Sequence, residues 1–474
     1  MLAINYKQLE ALLGGHPWIQ ELAGILPLSA MLDFLDMTRI LHLYQLSGAI
    51  PIWCWSVAPS GSRLLLSAPN EDGYCCLDRF ENNATPLCID GRYGDKYFTP
   101  NPETVRLSVN VADIETITNT HENMGRGDNR LQNLEIVCVK RQPPRNARRP
   151  WHYTSSVISG WVLLVVLLTA GVILERWLAV AYLTIVSMTG AVVALLYGGQ
   201  PRKLAAHLGS QYTRMVIVTK HTNEKNWQLF MGESSVVNAL LNKPLESGSK
   251  DPQHLTSLQT LLQGLICAQW ATAIGSAATK NWDAYAISFW VLFCIVSHKF
   301  FFSSKRIGKI WLSEGAGIEF RRYQTQLSSR RAFLNTIMAV NPDTFAKDEH
   351  HKMLEDFDKQ ALKWIDPILK KSRDRDSWQE ASRLALIERI GTARASYDER
   401  GNMTQAMSTW QDKYGHNYWC KYISEGIDMA IKIGEIADMR TSTSINSKLG
   451  GSTSTEKSDK LKGTDDQTPN STPQ

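Results

Sequence analysis

Ser156–Leu174 reads SVISGWVLLVVLLTAGVIL and contains no charged residue. A run of roughly 20 such residues covers the hydrocarbon core of a bilayer when helical. Glu175, Arg176 and Trp177 interrupt it, and Leu178–Tyr197 gives a second uncharged run. The interruption is too short for a folded loop, so the two helices are antiparallel neighbours. Trp177 belongs at the far interface, where an amphipathic ring is at home. A buried hairpin of a large soluble domain is the alternative, and two uncharged runs back to back argue against it. The chain reads as an α-helical membrane protein.

A second hairpin is more polar. Leu258–Thr279 carries Gln259, Gln263 and Gln269. Trp282–Phe302 carries Asp283 near its start and His298 near its end, with Lys280-Asn281 as the turn between. Glutamine amides are costly against lipid, so they are expected to face other helices. Gly264, Ala268, Ala271 and Gly275, like Gly190, Ala194 and Gly198, recur at three- and four-residue steps. Such spacing suits close helix contact in a membrane. The expectation is a four-helix core built from hairpins 156–198 and 258–302.

Basic residues set the orientation. Lys140, Arg141, Arg145, Arg148 and Arg149 precede the first span; Arg202, Lys203 and Arg214 follow the second; Lys299, Lys305, Arg306 and Lys309 follow the fourth. The hairpin tips offer Arg176 and Lys280. Both chain ends and the middle loop are therefore expected in the cytosol. The net charge of +5 sits at these flanks and calls for no nucleic-acid partner. Residues 1–30 lack the compact apolar core of a cleavable signal. The eight cysteines, among them Cys54, Cys75, Cys76, Cys88 and Cys138, then read as reduced thiols. The sequons at Asn83, Asn402 and Asn470 would matter only on the opposite side.

Outside the spans, residues 1–150 read as a mixed α/β region. Ile25–Leu46 has helical spacing but carries Asp33, Asp36 and Arg39, so it is an amphipathic or buried helix. Ile50–Leu66 and Thr104–Val111 read as short strands, and Gly91–Pro102 as a loop. In the middle loop, 199–257, Met215–Thr219 is strand-like and Val236–Leu241 helical. Residues 303–440 read as a helical cytosolic region, with periodic stretches at Arg330–Val340, Met353–Leu369 and Trp378–Ile390 and another helix around Ile423, Ile427 and Ala430. Residues 441–474 are rich in Ser, Thr, Lys and Asp and are expected to be disordered.

Val216-Ile217-Val218, Asn226-Trp227, Leu241-Asn242-Lys243-Pro244, Gln269-Trp270-Ala271, Asn281-Trp282-Asp283-Ala284, Leu327–Thr336, Asn341–Phe345 and Lys363–Pro367 form a recurring set of phrases. Together, over roughly Trp161 to Leu369, they resemble a family of uncharacterised multi-pass integral membrane proteins of filamentous fungi. The resemblance implies a membrane location and a contextual link to secondary metabolism. It carries no catalytic, cofactor or metal residue onto this chain.

The search for chemistry is correspondingly sparse. Glu349-His350-His351 lacks metal-binding spacing, since neighbouring side chains on a helix diverge by about 100°. His121-Glu122 lacks a second histidine, and Cys75-Cys76 lacks a CxxC partner. Gly315-Ala316-Gly317 lacks the context of a nucleotide loop. Arg126-Gly127-Asp128 is a short match that a cytosolic site could not use. Asp33 and Asp36 could share a helix face, with Arg39 as a local charge partner. Asp283 and His298 are ionisable groups in a membrane helix, which is a functional hypothesis by default. Both stand near helix ends, where Asp283 would cap the fourth helix and His298 would sit at the interface.

These residues leave three functions in contention. The first is a non-catalytic anchor or scaffold displaying cytosolic regions to protein partners, or to further copies of itself. The second is a transport component. The third is a membrane-bound accessory enzyme acting on a lipophilic metabolite, using acids such as Asp33 or Asp36. The absence of a catalytic constellation favours the first.

Overall fold

The computed structural model describes residues 11, 15–30, 36–57, 75–79, 85–125, 130–142, 151–197, 201–205, 212–246, 252–347, 353–357, 360–395 and 409–437. Asp33, the Glu349–His351 cluster, the Arg126–Asp128 tripeptide, the three sequon asparagines and residues 441–474 lie outside them.

In chain order the elements are α1 (Pro17–Ala30), α2 (Met37–Ser47), β1 (Leu87–Asp90), β2 (Lys96–Phe98), α3 (Pro102–Val111), β3 (Ile114–Ile117), β4 (Gln132–Arg141), α4 (Trp151–Ile173), α5 (Trp177–Tyr197), β5 (Thr213–Thr219), β6 (Asn226–Glu233), α6 (Ser234–Asn242), α7 (Pro252–Thr279), α8 (Trp282–Phe300), α9 (Ser304–Trp311), β7 (Ile318–Leu327), α10 (Arg330–Val340), β8 (Phe345–Lys347), β9 (Met353–Phe357), α11 (Arg373–Ala395), α12 (Thr409–Tyr414) and α13 (Cys420–Ile436).

Helices α4 and α5 and residues Thr256–Thr279 of α7 are each long and apolar enough to cross a bilayer, with mean hydropathies of 2.4, 2.1 and 1.2. Helix α8 reaches that standard together with 304–316, from which it is bent by 59°. The hairpins pack tips together: Asp283 at the start of α8 accepts a hydrogen bond from Ala179 N–H at the start of α5, 2.9 Å. The expected cap therefore serves α5, the neighbouring helix, and not α8 itself. Ile158, Val162, Val165 and Val166 of α4, with Phe289 and Leu292 of α8, remain exposed. So large an apolar face belongs against lipid or a partner and not water.

Both hairpins open toward one seven-stranded sheet, ordered β2-β1-β5-β6-β4-β7-β3. Pairs β3/β7 and β4/β6 are parallel and the others antiparallel. Its strands come from before the first hairpin, between the hairpins, and after the second. Residues 1–150, 199–257 and 303–440 thus meet in one layer. Alternation along β4 explains both covered faces. Leu134, Ile136 and Cys138 face a core with α10, α11 and α13. Val137 and Val139 face α3, α6 and the junction residues Leu46 and Trp311.

Several elements differ from expectation. Thr104–Val111 lies within helix α3, begun by Pro102 in its first turn. Gly91–Pro102 contains β2, half of a hairpin with β1. Met353–Leu369 begins as strand β9 and ends in a 3₁₀ turn, Gln360–Ile365, instead of forming one helix. Ile25–Leu46 divides into α1 and α2, and Asp36 is the N-cap of α2, accepting from Arg39 N–H at 3.1 Å. Asp36 thus meets the backbone of Arg39, where a charge pair with its guanidinium was expected.

Helix α1 lies away from the sheet. Its Ile19 carbonyl accepts from Tyr285 Oη at 2.7 Å, and Glu21 pairs with Lys280 at the hairpin tip, 2.7 Å. Helix α2 lies at the sheet end, where Leu46 O accepts from Arg202 N–H. Between Gly24 and Met37 the chain therefore passes from one end of the bundle to the other.

Candidate functional site

After α2 the chain turns into the bundle. Gly48 ends the helix in a left-handed conformation, φ 61°, which a side chain would strain. Pro51 is extended and Ile52–Cys54 makes a single 3₁₀ turn. The segment 49–57 is almost wholly buried among α4, α5, α7 and α8. Such irregular backbone is tolerated in a membrane protein only where protein covers it.

The two hairpins receive it differently. On the first, Gly160 lies under the Trp53 indole and Gly190 under the Ile52 carbonyl; a Cβ at either position would overlap them. On the second, Gln269 satisfies the inserted backbone. Its Oε1 accepts from Val57 N–H at 3.1 Å, and its Nε2 donates to Trp55 O at 3.3 Å and Thr189 Oγ1 at 2.6 Å. Each inserted N–H and C=O left unpaired in apolar surroundings would cost a few kcal/mol, so one amide serving both is a strong fixture.

The expected close-packing glycines of α7 behave otherwise. Gly264 faces open space, and Gly275 only touches Leu178 Cδ2, at 4.0 Å.

Nearer the sheet end of the bundle lies a thiol–imidazole cluster. Cys54 Sγ is 3.1 Å from His298 Nε2, which is also 3.2 Å from Cys54 O. Cys294, one helical turn before His298 on α8, brings its Sγ to 4.0 Å from Trp53 O, next to Cys54. Ser56 Oγ donates to Cys294 Sγ at 3.7 Å. Trp53 closes the cluster, its Nε1 donating to Val157 O of α4 at 3.3 Å and its ring against Trp290, Phe293 and Phe302. His298, expected at the interface beside Lys299, is buried within the bundle instead. Asp283 is at the other end of α8, roughly 22 Å away at 1.5 Å per residue.

A second polar cluster lies at the sheet end. His42, Cys75 and Asp78 place one donor atom each within 4.8 Å of the others, and the donor types suit zinc. The bonding gives them another task. Leu77 N–H donates to His42 Nδ1 at 3.2 Å, so Nε2 carries the ring proton and meets Thr104 Oγ1 at 3.3 Å. That hydroxyl donates to Asp78 Oδ2 at 2.7 Å. Asp78 Oδ1 accepts from Glu103 N–H at 2.8 Å and Thr104 N–H at 3.1 Å, capping the first turn of α3. Both ring nitrogens are engaged, and Nδ1 faces an N–H where a cation would have to sit. Burial, aided by the charges of Arg202 and Arg39, pushes His42 down to about 3. Burial pushes Asp78 up to about 6, against the hydrogen bonds it accepts from Thr104 and Glu103.

The other singled-out residues have local roles. His121 N–H bonds to Asn119 Oδ1 beside a 3₁₀ turn containing Glu122. Cys76 N–H bonds to Gln45 Oε1. Gly315 packs beneath Trp311 and the Arg202 carbonyl, and Gly317 takes φ 62° to start β7. Cys54, Cys294, His42 and Asp78 escaped the sequence reading because the partners that define their roles are 25 or more residues distant. No family model, curated protein or solved structure matches the chain, so the fungal resemblance rests on its quoted motifs.

Proposed function

We propose that this chain is an integral membrane protein acting as a non-catalytic anchor, one that holds a composite α/β platform at the cytosolic face of its membrane for protein partners. The observation that carries this reading is the sheet's construction. Its strands are contributed from both sides of each hairpin, so the platform cannot detach or fold without the bundle. A rigid platform at a fixed height is what a scaffold requires. The exposed apolar faces of α4 and α8 supply the lipid-facing surface, and exposed Trp151 and Trp177 stand at the two ends of the first hairpin.

For sidedness, the described basic flanks Arg202, Lys203 and Lys305 stand at the sheet end, which supports a cytosolic sheet with α10–α13. The contacts of Glu21 and Gly24 with Lys280 at the hairpin tip support an N-terminal segment on the far side, an alternative to the cytosolic position read from the sequence. Reporter tags at residue 1 and residue 474 should be protected from protease on opposite sides of sealed vesicles. Tags on the same side would overturn this orientation.

Function is tested by complementing a deletion strain with a chain carrying Cys54→Ser alone, which leaves His298 and its contact with Cys54 O in place. Full complementation at normal protein level and membrane location is expected. Loss of the phenotype with normal level and location would favour the accessory-enzyme or transport reading, which the buried thiol–imidazole cluster alone recommends.

A further inference from the structure

We propose that Cys54 and Cys294 are a reactive thiol pair within the bundle, converted to a disulfide by hydroperoxides dissolved in the lipid, with His298 as the proton carrier. Three observations converge. Cys54 Sγ is in hydrogen-bond range of His298 Nε2, and Cys294 Sγ meets the residues on either side of Cys54, within 4.0 Å of Trp53 O and 3.7 Å from Ser56 Oγ. Cys294 and His298 are four residues apart on α8, so they present sulfur and imidazole from one helix face to the same point of the inserted segment. The cluster is also next to a seam. Trp53 joins α4 to α8, its Nε1 donating to Val157 O and its ring 5.3 Å from Phe293, and Tyr153 of α4 meets Phe302, just past α8, at 5.8 Å. Cys54 is 1% exposed, so a lipid-borne molecule must enter by displacing these rings.

The chemistry balances as follows. The Cys54 thiol proton passes to His298 Nε2. The thiolate attacks the terminal oxygen of the hydroperoxide and the O–O bond breaks. The departing alkoxide takes the proton from the imidazolium and leaves as an alcohol, and Cys54 becomes a sulfenic acid. Cys294 sulfur then attacks the Cys54 sulfur. The S–O bond breaks, and hydroxide leaves as water with the Cys294 proton. Two thiols are oxidised, one hydroperoxide is reduced to alcohol and water, and His298 is restored. The resulting bond would tie the inserted segment to α8. Because the proposal concerns a modification, it stands or falls independently of the anchor reading.

The test uses the full chain in lipid nanodiscs, treated with cumene hydroperoxide or, separately, with hydrogen peroxide, then alkylated under denaturing conditions. With cumene hydroperoxide we expect an intact-mass loss of about 2 Da before alkylation, reversed by dithiothreitol, and a crosslinked peptide joining Cys54 to Cys294. Hydrogen peroxide should act more slowly. His298→Asn should slow the cumene hydroperoxide reaction roughly a hundredfold, the scale of a lost proton carrier. Full alkylation of both cysteines after oxidation, a bond to exposed Cys267 instead, or faster reaction with hydrogen peroxide would each overturn the proposal. These readouts come from the unaltered chain and survive any failure of the His298 variant to fold.

Discussion

The two hairpins hold the same inserted segment by different physics. The first, α4–α5, is almost purely apolar and accommodates it by shape, with Gly160 and Gly190 giving up side chains so that Trp53 and Ile52 can approach helix backbone. The second, α7–α8, holds it by hydrogen bonding, through Gln269, Cys294 and His298. The difference explains the lower mean hydropathy of α7, 1.2 against 2.4 for α4. Its polar residues are not a weaker version of a span. Gln269 is the polar complement of a non-helical stretch whose other bonds to the bundle include Ala49 O, accepting from Tyr153 Oη, and Trp53 Nε1, donating to Val157 O.

The comparison breaks first at Gly190. A valine there would drive its side chain into the Ile52 carbonyl, which is backbone and cannot swing aside. Destabilisation of about 3 kcal/mol or more is expected, seen as loss of monodisperse protein after detergent extraction. Wild-type yield would show that the segment does not insert against α5. Gln269→Leu attacks the other hairpin at similar volume. It orphans Val57 N–H and Trp55 C=O, and about 2–4 kcal/mol should be lost in thermal unfolding. An unchanged melting temperature would mean that the amide faces something else.

The network at the sheet end offers a contrast governed by protons. His42, depressed to about 3 when folded, binds its proton first in the unfolded chain; stability is full above about 6.5 and falls as pH drops toward 3. Asp78, raised to about 6 when folded, binds its proton first in the native chain, so stability rises as pH drops from 6 to about 4. The two slopes oppose each other, and the wild-type protein should change little through this pair between pH 6 and 4. Asp78→Asn removes one slope. The variant should then lose about 1.3 kcal/mol more than wild type between pH 7 and 5, at 1.36 kcal/mol per unit. Parallel pH profiles would refute the assignment.

How much of this was legible depends on the range of the interaction. The apolar runs, the strand at Met215–Thr219, and helices Val236–Leu241 and Arg330–Val340 are local patterns and stand where the sequence puts them. Thr104–Val111 misled because Val105, Leu107, Val109 and Val111 alternate like a strand. The overriding signal was Asn101-Pro102 in front, which starts a helix, with Asp78 supplying its cap from outside the element. The inserted segment had no local signature: a short apolar and aromatic run after a glycine reads as a strand, and its partners are more than 100 residues away. Asp283 looked like a local cap and serves the helix beside it, a substitution that only packing reveals.

The smallest effect is the most discriminating. Gly264 shares the four-residue spacing with Ala268 that suggested helix contact, yet a Cβ there meets nothing within 4 Å. If that face of α7 meets only lipid, Gly264→Ala replaces the most flexible helix residue with the best helix former. It should then stabilise the protein by about 0.5–1 kcal/mol, a small rise in melting temperature at unchanged oligomeric state. The same change at Gly190 must be harmful, so the pair separates a glycine kept for contact from one that makes none within the chain. A fall in melting temperature accompanied by dissociation would locate the missing contact on a second copy. Gly264 would then mark a homo-oligomer interface, and the second hairpin would have polar contacts inside the bundle and a small-residue face toward its neighbour.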